Sequence, residues 1–395
     1  MKYAYLALLL LVTSCANTPQ QVYNSSPIFI DFDGTKLGGV TQGDIFEQII
    51  PQVHDILSPA QKRALNHYTD YASRDNSHAL GGMVVYHKGV PVYSWFDSAN
   101  GAKSDQPYQS NSLTKSVTSL LLGIAIDQGY IASVDDPISR YLNDYRDDLS
   151  GNKAKLTIRD LLTMTDAIEW NQNPYNKDGS LATDNSPNEM FRSSNPTHYI
   201  VSRPENKNAK GQFTYGEWQP FLIGQIIQNA TGQDFFTFAN KNLFTPMDIT
   251  YWHWHTLRDD SPNTNGGVYL NVWDRAKLGQ LVISQGKWQD KQLVSKNWIK
   301  ASTKNQLAEP GSAWAASSYG YYWWLDNLKI GKSSINTISA EGWGGNSIII
   351  YPERDLVIAT MGGDYRMNSM AAHGIGSINE RLAKFVVSRY FPIQE

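Results

Sequence analysis

The strongest constraint on this chain is a long apolar stretch that opens with a serine and a lysine. Ser112 and Lys115 precede residues 117–130, whose composition leaves almost no polar face and therefore predicts a helix inside the protein. Residues three apart on a helix lie on one face, about 5–6 Å apart at Cβ. A hydroxyl beside a partly dehydrated amine is an activated nucleophile, because the lysine can then accept the serine proton.

The Ser-x-x-Lys spacing alone is a weak signal, since it occurs three times in this chain. The copies at Ser150 and Ser284 contain glycine with asparagine or glutamine, as turns do, so both of their polar groups are expected to stay in water. Only the copy at Ser112 opens a buried helix, whose first N–H groups also favour the negative charge of an acyl-transfer transition state. A helix-capping serine followed by a surface lysine remains the alternative interpretation.

The first residues have the pattern of an export signal. Residues 1–14 carry Lys2 and a short apolar run, too short to span a bilayer as a stable helix. Their end resembles the lipobox of bacterial lipoproteins, and Cys15 is the only cysteine of the sequence. The resemblance implies cleavage before Cys15, lipidation of its thiol and membrane anchoring. In bacterial lipoproteins an aspartate directly after the cysteine retains the protein at the inner membrane. Since Ala16 follows Cys15 here, the resemblance implies an outer-membrane location facing the periplasm. A plain signal peptide with an incidental cysteine is the alternative.

Composition excludes some classes of function. With 34 basic and 37 acidic residues, the net charge of −3 gives no field that would attract nucleic acid. His253 and His255 alternate with tryptophans and have no third ligand nearby in the sequence, so packing is the better interpretation than metal binding. No cofactor and no metal are therefore predicted.

The predicted organisation is a tether, an extension and one large domain. Residues 15–26 are polar and read as a flexible tether. Residues 27–75 form an N-terminal extension without a functional interpretation, with a strand at 28–30 and helices at 45–56 and 59–71. Residues 76–395 are predicted to form the domain, with a sheet region at 76–111 and 265–395 around a helical region at 112–264.

The order of elements within this domain predicts its fold class. Strands come early, helices in the middle and strands late, which indicates an α/β (α+β) fold with an antiparallel sheet, flanking terminal helices and an inserted all-helical region. Ser112 would lie where the two regions meet, where clefts form. The predicted strands are 82–87, 90–96, 319–325, 337–341, 347–351 and 356–361. The predicted helices, besides the one at Ser112, are 156–165 with Thr157 as N-cap, 221–230, 235–243 and 369–390.

Three motifs in sequence order carry a resemblance to a known family. They are Ser112-Leu113-Thr114-Lys115, Tyr215-Gly216-Glu217 and Trp343-Gly344-Gly345. They resemble the motifs of serine hydrolases of the β-lactamase and penicillin-binding protein superfamily, in the branch of class C β-lactamases, esterases and 6-aminohexanoate-dimer hydrolases. The resemblance runs from about Gly81 to the C-terminus and implies a β-lactamase-like fold.

The resemblance implies a role for each catalytic group. Ser112 would be the nucleophile, Lys115 its proton acceptor, and Tyr215 would relay the proton to the leaving group. The backbone N–H groups of Ser112 and Asn346 would form the oxyanion hole. A nearby ammonium makes a phenol easier to ionise, so Tyr215 and Lys115 are expected to exchange a proton readily.

Two departures from the family pattern bear on the substrate. Glu217 stands where the family has asparagine, and Trp343 replaces the cation that attracts a substrate carboxylate in β-lactamases and D,D-peptidases. Gly344 and Gly345 would let the substrate approach the strand closely, so these four residues are the predicted substrate contacts. Without that cation a carboxylate-bearing substrate loses an ion pair worth about 1.5–3 kcal/mol, which favours neutral esters or amides.

These observations predict a serine hydrolase that cleaves a small-molecule ester or amide through a covalent acyl-enzyme on Ser112. Within the same fold, a D,D-peptidase or a class C-like β-lactamase is the alternative enzyme. A non-catalytic module that binds cell-wall peptide is the alternative from another class, with Glu217 and Trp343 as signs of lost chemistry.

Overall fold

The computed structural model of the chain describes residues 40–42, 48–74, 80–171, 185–308, 318–362 and 381–393. The predicted signal peptide, Cys15, the tether and the strand predicted at 28–30 lie outside these residues, as does the first half of the helix predicted at 369–390. No helix within the described ranges is long and apolar enough to cross a bilayer.

The elements follow the expected order of early strands, central helices and late strands. The strands are β1 (Val40–Gln42), β2 (Leu80–His87), β3 (Val90–Phe96), β4 (Tyr108–Gln109), β5 (His253–His255), β6 (Val268–Leu270), β7 (Lys287–Trp288), β8 (Lys291–Gln292), β9 (Leu307–Ala308), β10 (Ser318–Tyr319), β11 (Trp324–Ile330), β12 (Ser333–Gly342), β13 (Asn346–Tyr351) and β14 (Leu356–Gly362). The helices are α1 (Pro59–Arg74), α2 (Leu113–Asp127), α3 (Ile158–Leu162), α4 (Ser186–Arg192), α5 (Pro196–Val201), α6 (Trp218–Thr231), α7 (Phe235–Ala239), α8 (Val272–Ile283), α9 (Lys296–Ser302) and α10 (Ser388–Tyr390). Two π-helical segments are Asn240–Phe244 and Ala383–Val387, and the short 3-10 helices are Ser98–Asn100, Ile138–Arg140, Asn143–Tyr145, Lys153–Lys155, Thr245–Met247 and Pro352–Arg354.

An antiparallel sheet organises the chain. Over the described residues it has eight strands in the order β3-β2-β14-β13-β12-β11-β10-β9. Because side chains alternate across a sheet, Val84 and Ile350 contribute to the core on one face, and Val85 and Ile349 to the core on the other. Helices cover both faces, and the strands predicted early and late in the chain pair in this sheet, which confirms the predicted fold class.

Helix α2 is buried along almost its whole length, as its apolar composition predicts. It packs against α6 and against β12, so its first turn meets one end of the sheet. The helix predicted at 156–165 is the shorter α3, and Thr157 is its N-cap in a reciprocal capping box with Asp160. The helical region and the sheet therefore meet at the start of α2.

The region predicted as all-helical contains a strand. Strand β5 pairs with β1 and β6, and β6 pairs with β4, giving a second small sheet beside the first turn of α2. The three residues of β5 are too few to show a periodicity in the sequence, and only their distant partners define them as a strand. Within the predicted extension at 27–75, β1 pairs with β5 and helix α1 covers a face of the main sheet.

Two other predicted elements were wrong in part. The described part of the helix predicted at 45–56 is irregular, and the N–H of His54 bonds to the carbonyl of Pro91 at 2.8 Å. The strand predicted at 319–325 is interrupted between β10 and β11 by Tyr322, whose φ of 64° is incompatible with extended backbone. The Tyr322 carbonyl accepts a hydrogen bond from Ser116 Oγ at 2.6 Å, so this break joins the sheet to α2.

Helix α8 lies close against the centre of the sheet. It contacts β2, β13 and β14, and a Cβ atom at Gly279 would lie 2.4 Å from Val357 Cγ1 and 2.7 Å from Ile348 Cγ2. Glycine is therefore required where the helix backbone approaches the strands.

We expect Gly279→Ala to lower the free energy of unfolding by roughly 1–3 kcal/mol, because the added methyl group overpacks the junction of helix and sheet. In an uncrowded helix a change of glycine to alanine would raise the free energy of unfolding by about 1 kcal/mol. A decrease would therefore indicate overpacking at Gly279. Urea denaturation measures the effect. Gly266→Ala, whose new Cβ would lie 3.8 Å from Asn111, is the control and should change stability little.

Candidate active site

The predicted nucleophile lies at a sharp turn into α2. Asn111 has a φ of 51°, a conformation that asparagine tolerates better than most residues, and Ser112 follows with helical dihedral angles. Although Ser112 is the N-cap, its side chain makes no capping hydrogen bond. Its hydroxyl group is therefore directed to other partners.

Lys115 is the first of these partners and is almost completely buried, at 3% exposed. Its Nζ donates to Ser112 Oγ at 3.0 Å and to the backbone carbonyl of Asn265 at 3.1 Å. Burial lowers the pKa of the Lys115 ammonium to about 8, and the carboxylate of Glu217 partly opposes this shift. An amine with this pKa is neutral in about a tenth of the molecules at pH 7, and in that form it can accept the hydroxyl proton.

Tyr215 is the second partner, and local packing sets its position. A Cβ atom at Gly216 would lie 1.7 Å from the ring of Trp218, so only glycine lets the chain turn between Tyr215 and α6. Lys115 Nζ lies 4.9 Å from the centre of the Tyr215 ring, and the ring of Trp324 stacks on the Tyr215 ring with 5.6 Å between their centres.

The phenol of Tyr215 is held in its neutral form. Burial raises its pKa most, the hydrogen bond to the Ser112 side chain lowers it, and the carboxylates of Glu217 and Glu341 raise it. The prediction that Lys115 makes this phenol easier to ionise is therefore wrong in its net result, because burial outweighs any help from the ammonium. A neutral phenol that bonds to Ser112 can still pass a proton on.

The third motif lies in a turn and not on a strand. Trp343, Gly344 and Gly345 connect β12 to β13, and the two glycines have φ values of 84° and 82°, which extended strands do not adopt. The close approach to the nucleophile segment is made by Gly342 instead, where an added Cβ would lie 2.0 Å from the Ser110 carbonyl oxygen. The expected role of Gly344 and Gly345, to let a substrate approach the strand closely, stays a prediction.

Asn111 and Asn265 contribute polar groups around the site that no motif indicated, and the side chain of Asn346 makes a contact that its motif did not predict. Asn111 Nδ2 and Asn346 Nδ2 both donate to the carbonyl oxygen of Trp343, at 2.8 and 2.6 Å. Asn265 supplies the carbonyl that binds Lys115. These residues come from segments distant in sequence, and an isolated asparagine has too many possible roles for a sequence pattern to select it.

The two histidines of β5 lie away from these groups, in the small sheet. The rings of His253 and His255 lie 6.3 and 4.8 Å from the ring of Tyr269. Within the described part of the chain, no group of three His, Cys, Asp or Glu side chains is arranged to hold a metal ion.

Comparison with known proteins identifies the family. The family model described as Beta-lactamase matches residues 63–376, which is most of the chain. The chain belongs to the Beta-lactamase family. It is 22% identical over 303 residues to the 6-aminohexanoate-dimer hydrolase of Paenarthrobacter ureafaciens, covering 73% of this chain and 74% of the relative.

Solved structures in the comparison have the same fold. The EstCE1 hydrolase with promiscuous acyltransferase activity superposes with a TM-score of 0.62 at 11% identity, covering 85% of this chain and 100% of that one. A penicillin-binding protein homologue from Pyrococcus abyssi has a TM-score of 0.60 at 17% identity, with 85% and 80% covered. The fold and the serine hydrolase superfamily predicted from the motifs are therefore confirmed.

We expect the reactivity of Ser112 to rise with pH through about 8, because burial lowers the pKa of Lys115 to about 8 and only the neutral amine accepts the hydroxyl proton. Glu217→Gln removes the charge that raises this pKa, so the midpoint should move to lower pH. The measurement is the rate of labelling by a fluorophosphonate probe across pH.

Glu341→Gln is the matched control for this profile. Glu341 acts on the pKa of Tyr215 but not on that of Lys115, so its loss should leave the midpoint unchanged. A midpoint that moves equally in both variants, or in neither, would contradict the assignment.

Proposed function

We propose that this protein is a hydrolase that cleaves a small-molecule ester or amide through a covalent acyl-enzyme on Ser112. The observation that carries the proposal is the hydrogen bond of 3.0 Å between Ser112 Oγ and the almost completely buried amine of Lys115. Family membership supports the reaction class, since the family is one of serine hydrolases.

In the proposed first step, neutral Lys115 takes the proton of Ser112 Oγ while the oxygen attacks the substrate carbonyl carbon. Lys115 Nζ donates the hydrogen bond to Ser112 Oγ in the structure, whereas Ser112 Oγ donates it when the amine is neutral. The proton transfer therefore requires little movement. Tyr215 passes a proton to the leaving alcohol or amine as its bond to the carbonyl carbon breaks. Lys115 returns the proton that it took from Ser112 to Tyr215, so both groups regain their starting states. Water then attacks the acyl-Ser112 ester and gives its proton to Lys115, which passes it to Ser112 Oγ as the bond between Oγ and the carbonyl carbon breaks, releasing the acid and the free serine.

The developing oxyanion needs donors beside Ser112. The backbone N–H of Ser112, at the start of α2, is the first donor that we propose. Because Gly342 makes the closest approach to the nucleophile segment, the N–H of the next residue, Trp343, is favoured as the second donor. Asn346, the donor expected from the motif, faces Gly342 across the hairpin and lies one strand further along the sheet.

The surroundings favour a substrate without a carboxylate next to the reacting bond. Trp343 is half-buried and stands at the motif position where β-lactamases and D,D-peptidases have a cation, and the carboxylates of Glu217 and Glu341 both raise the pKa of Tyr215. A carboxylate close to Tyr215 would be repelled by both. The relative named 6-aminohexanoate-dimer hydrolase supports an amide as well as an ester as the bond cleaved.

The test is hydrolysis of a panel of p-nitrophenyl esters and dipeptide amides, together with fluorophosphonate labelling. We expect the parent protein to hydrolyse and label, Ser112→Ala to do neither, and Tyr215→Phe to lose roughly 10²–10⁴-fold in kcat/KM, as expected for loss of a proton relay. Tyr319→Phe removes a hydroxyl group from the aromatic cluster packed against Trp324 and is the control expected to keep its activity. A folded parent protein that never labels would refute the proposal.

A chromogenic cephalosporin separates this proposal from the alternative enzymes. We expect slow or no turnover, because the site replaces the carboxylate-binding cation by Trp343. Turnover faster than that of the best neutral ester would instead favour a class C-like β-lactamase or a D,D-peptidase. Binding of cell-wall peptide that is unchanged in Ser112→Ala, without hydrolysis of any ester by the parent, would support a non-catalytic module.

A further inference from the structure

A single buried arginine connects the segments that surround the nucleophile. Arg275 lies on α8 and is fully buried. One of its terminal nitrogens donates to Asn346 Oδ1 at 2.7 Å and to the Thr360 carbonyl at 3.0 Å. The other donates to the carbonyls of Tyr108 and Gln109 at 2.8 and 3.1 Å. The guanidinium group thus binds β4, β13 and β14 at once.

From Arg275 the contacts continue to the turn beside Ser112. Asn346, whose Oδ1 is held by the arginine, uses its Nδ2 to donate to the Trp343 carbonyl at 2.6 Å. Asn111, which follows β4 and precedes the nucleophile, donates to the same carbonyl at 2.8 Å. The side-chain amides of Asn111 and Asn346 therefore donate to the same oxygen, the carbonyl of Trp343.

The chemistry of the guanidinium group suits this role. It offers five N–H donors in a rigid plane, whereas a lysine ammonium at the end of a flexible chain cannot reach four acceptors on three strands. Hydrogen bonds from a charged donor in a buried site are also stronger than neutral ones. The distance between the start of α2 and the Trp343 turn is consequently fixed by Arg275, a residue buried on α8 that does not contact the substrate.

We propose that Arg275 is a positioning residue for acyl transfer at Ser112, acting on the peptide of Trp343 through Asn346 and through strand β4, which leads to Asn111. The proposal rests on the proposed function, because it concerns the spacing of the two oxyanion donors. A displacement of about 1 Å at such a site can cost roughly 10²-fold in rate. Loss of Arg275 should therefore lower kcat much more than it changes KM.

The decisive comparison is between Arg275→Met and Lys277→Met. Lys277 is a second buried cation on the same helix, and its ammonium binds Asp274 at 2.8 Å and the Asp248 carbonyl at 2.7 Å, without contact to the nucleophile segment or the turn. Both changes remove a buried charge and should lower the melting temperature. Only Arg275→Met should also lower kcat and the rate of fluorophosphonate labelling, by roughly ten- to hundredfold, with KM for the best ester changed less than about threefold. Arg275→Lys should recover stability better than activity.

Asn346→Ser provides a second test that does not depend on the folding of the arginine variant. It removes the amide between Arg275 and Trp343 but leaves the arginine its three backbone carbonyls, so the protein should fold. We expect the same selective loss of kcat.

The outcomes are distinguishable. Unchanged kcat in Asn346→Ser or in a folded Arg275→Met would overturn the positioning role while leaving the proposed hydrolase intact. Equal losses of kcat in Arg275→Met and Lys277→Met would overturn it too, since general loosening would then explain both. A parent protein without esterase activity or labelling would overturn the proposed function together with this inference.

Discussion

The burial of one amine is the condition on which the site depends. Taking the Lys115 ammonium out of water costs free energy, and the protein recovers part of this cost through the Asn265 carbonyl and the nearby charge of Glu217. The remainder appears as a lowered pKa, which makes the amine available as a base. An exposed lysine at the same distance from Ser112 would stay protonated and could not activate the hydroxyl group.

The fold supplies this burial by bringing three parts of the chain to one point. Helix α2 presents Ser112 and Lys115, the segment before α6 presents Tyr215, and the hairpin of β12 and β13 presents Gly342 and the Trp343 turn. Each approach requires a residue without a side chain or with unusual backbone angles, as at Gly216, Gly342 and Asn111. The site is therefore a consequence of tertiary packing as much as of the reactive groups themselves.

The sequence predicted what local patterns encode. Runs of β-branched residues next to turn residues indicated the strands of the main sheet, the apolar run indicated α2, and the motifs indicated Ser112, Lys115 and Tyr215. It did not predict β5, which is defined by distant partners, or the close contact of Gly342 with Ser110, which depends on tertiary packing. Arg275 lies on a helix that no pattern indicated, and its role follows only from three strands meeting around it. The sequence also could not predict that the pKa of Tyr215 is raised, because the largest cause of this shift is the burial of the phenol.

Helix α1 belongs to the domain, although the sequence suggested a boundary after it. Leu65, Tyr68 and Ala72 of this helix cover the face of the sheet opposite α2, together with Val386 and Val387 from the C-terminal segment. In a shortened protein that starts at residue 76, part of the apolar face of the sheet would be exposed to water, and such exposed apolar surfaces favour self-association. Helix α1 and the segment around Val386 thus jointly seal the side of the sheet remote from the reaction.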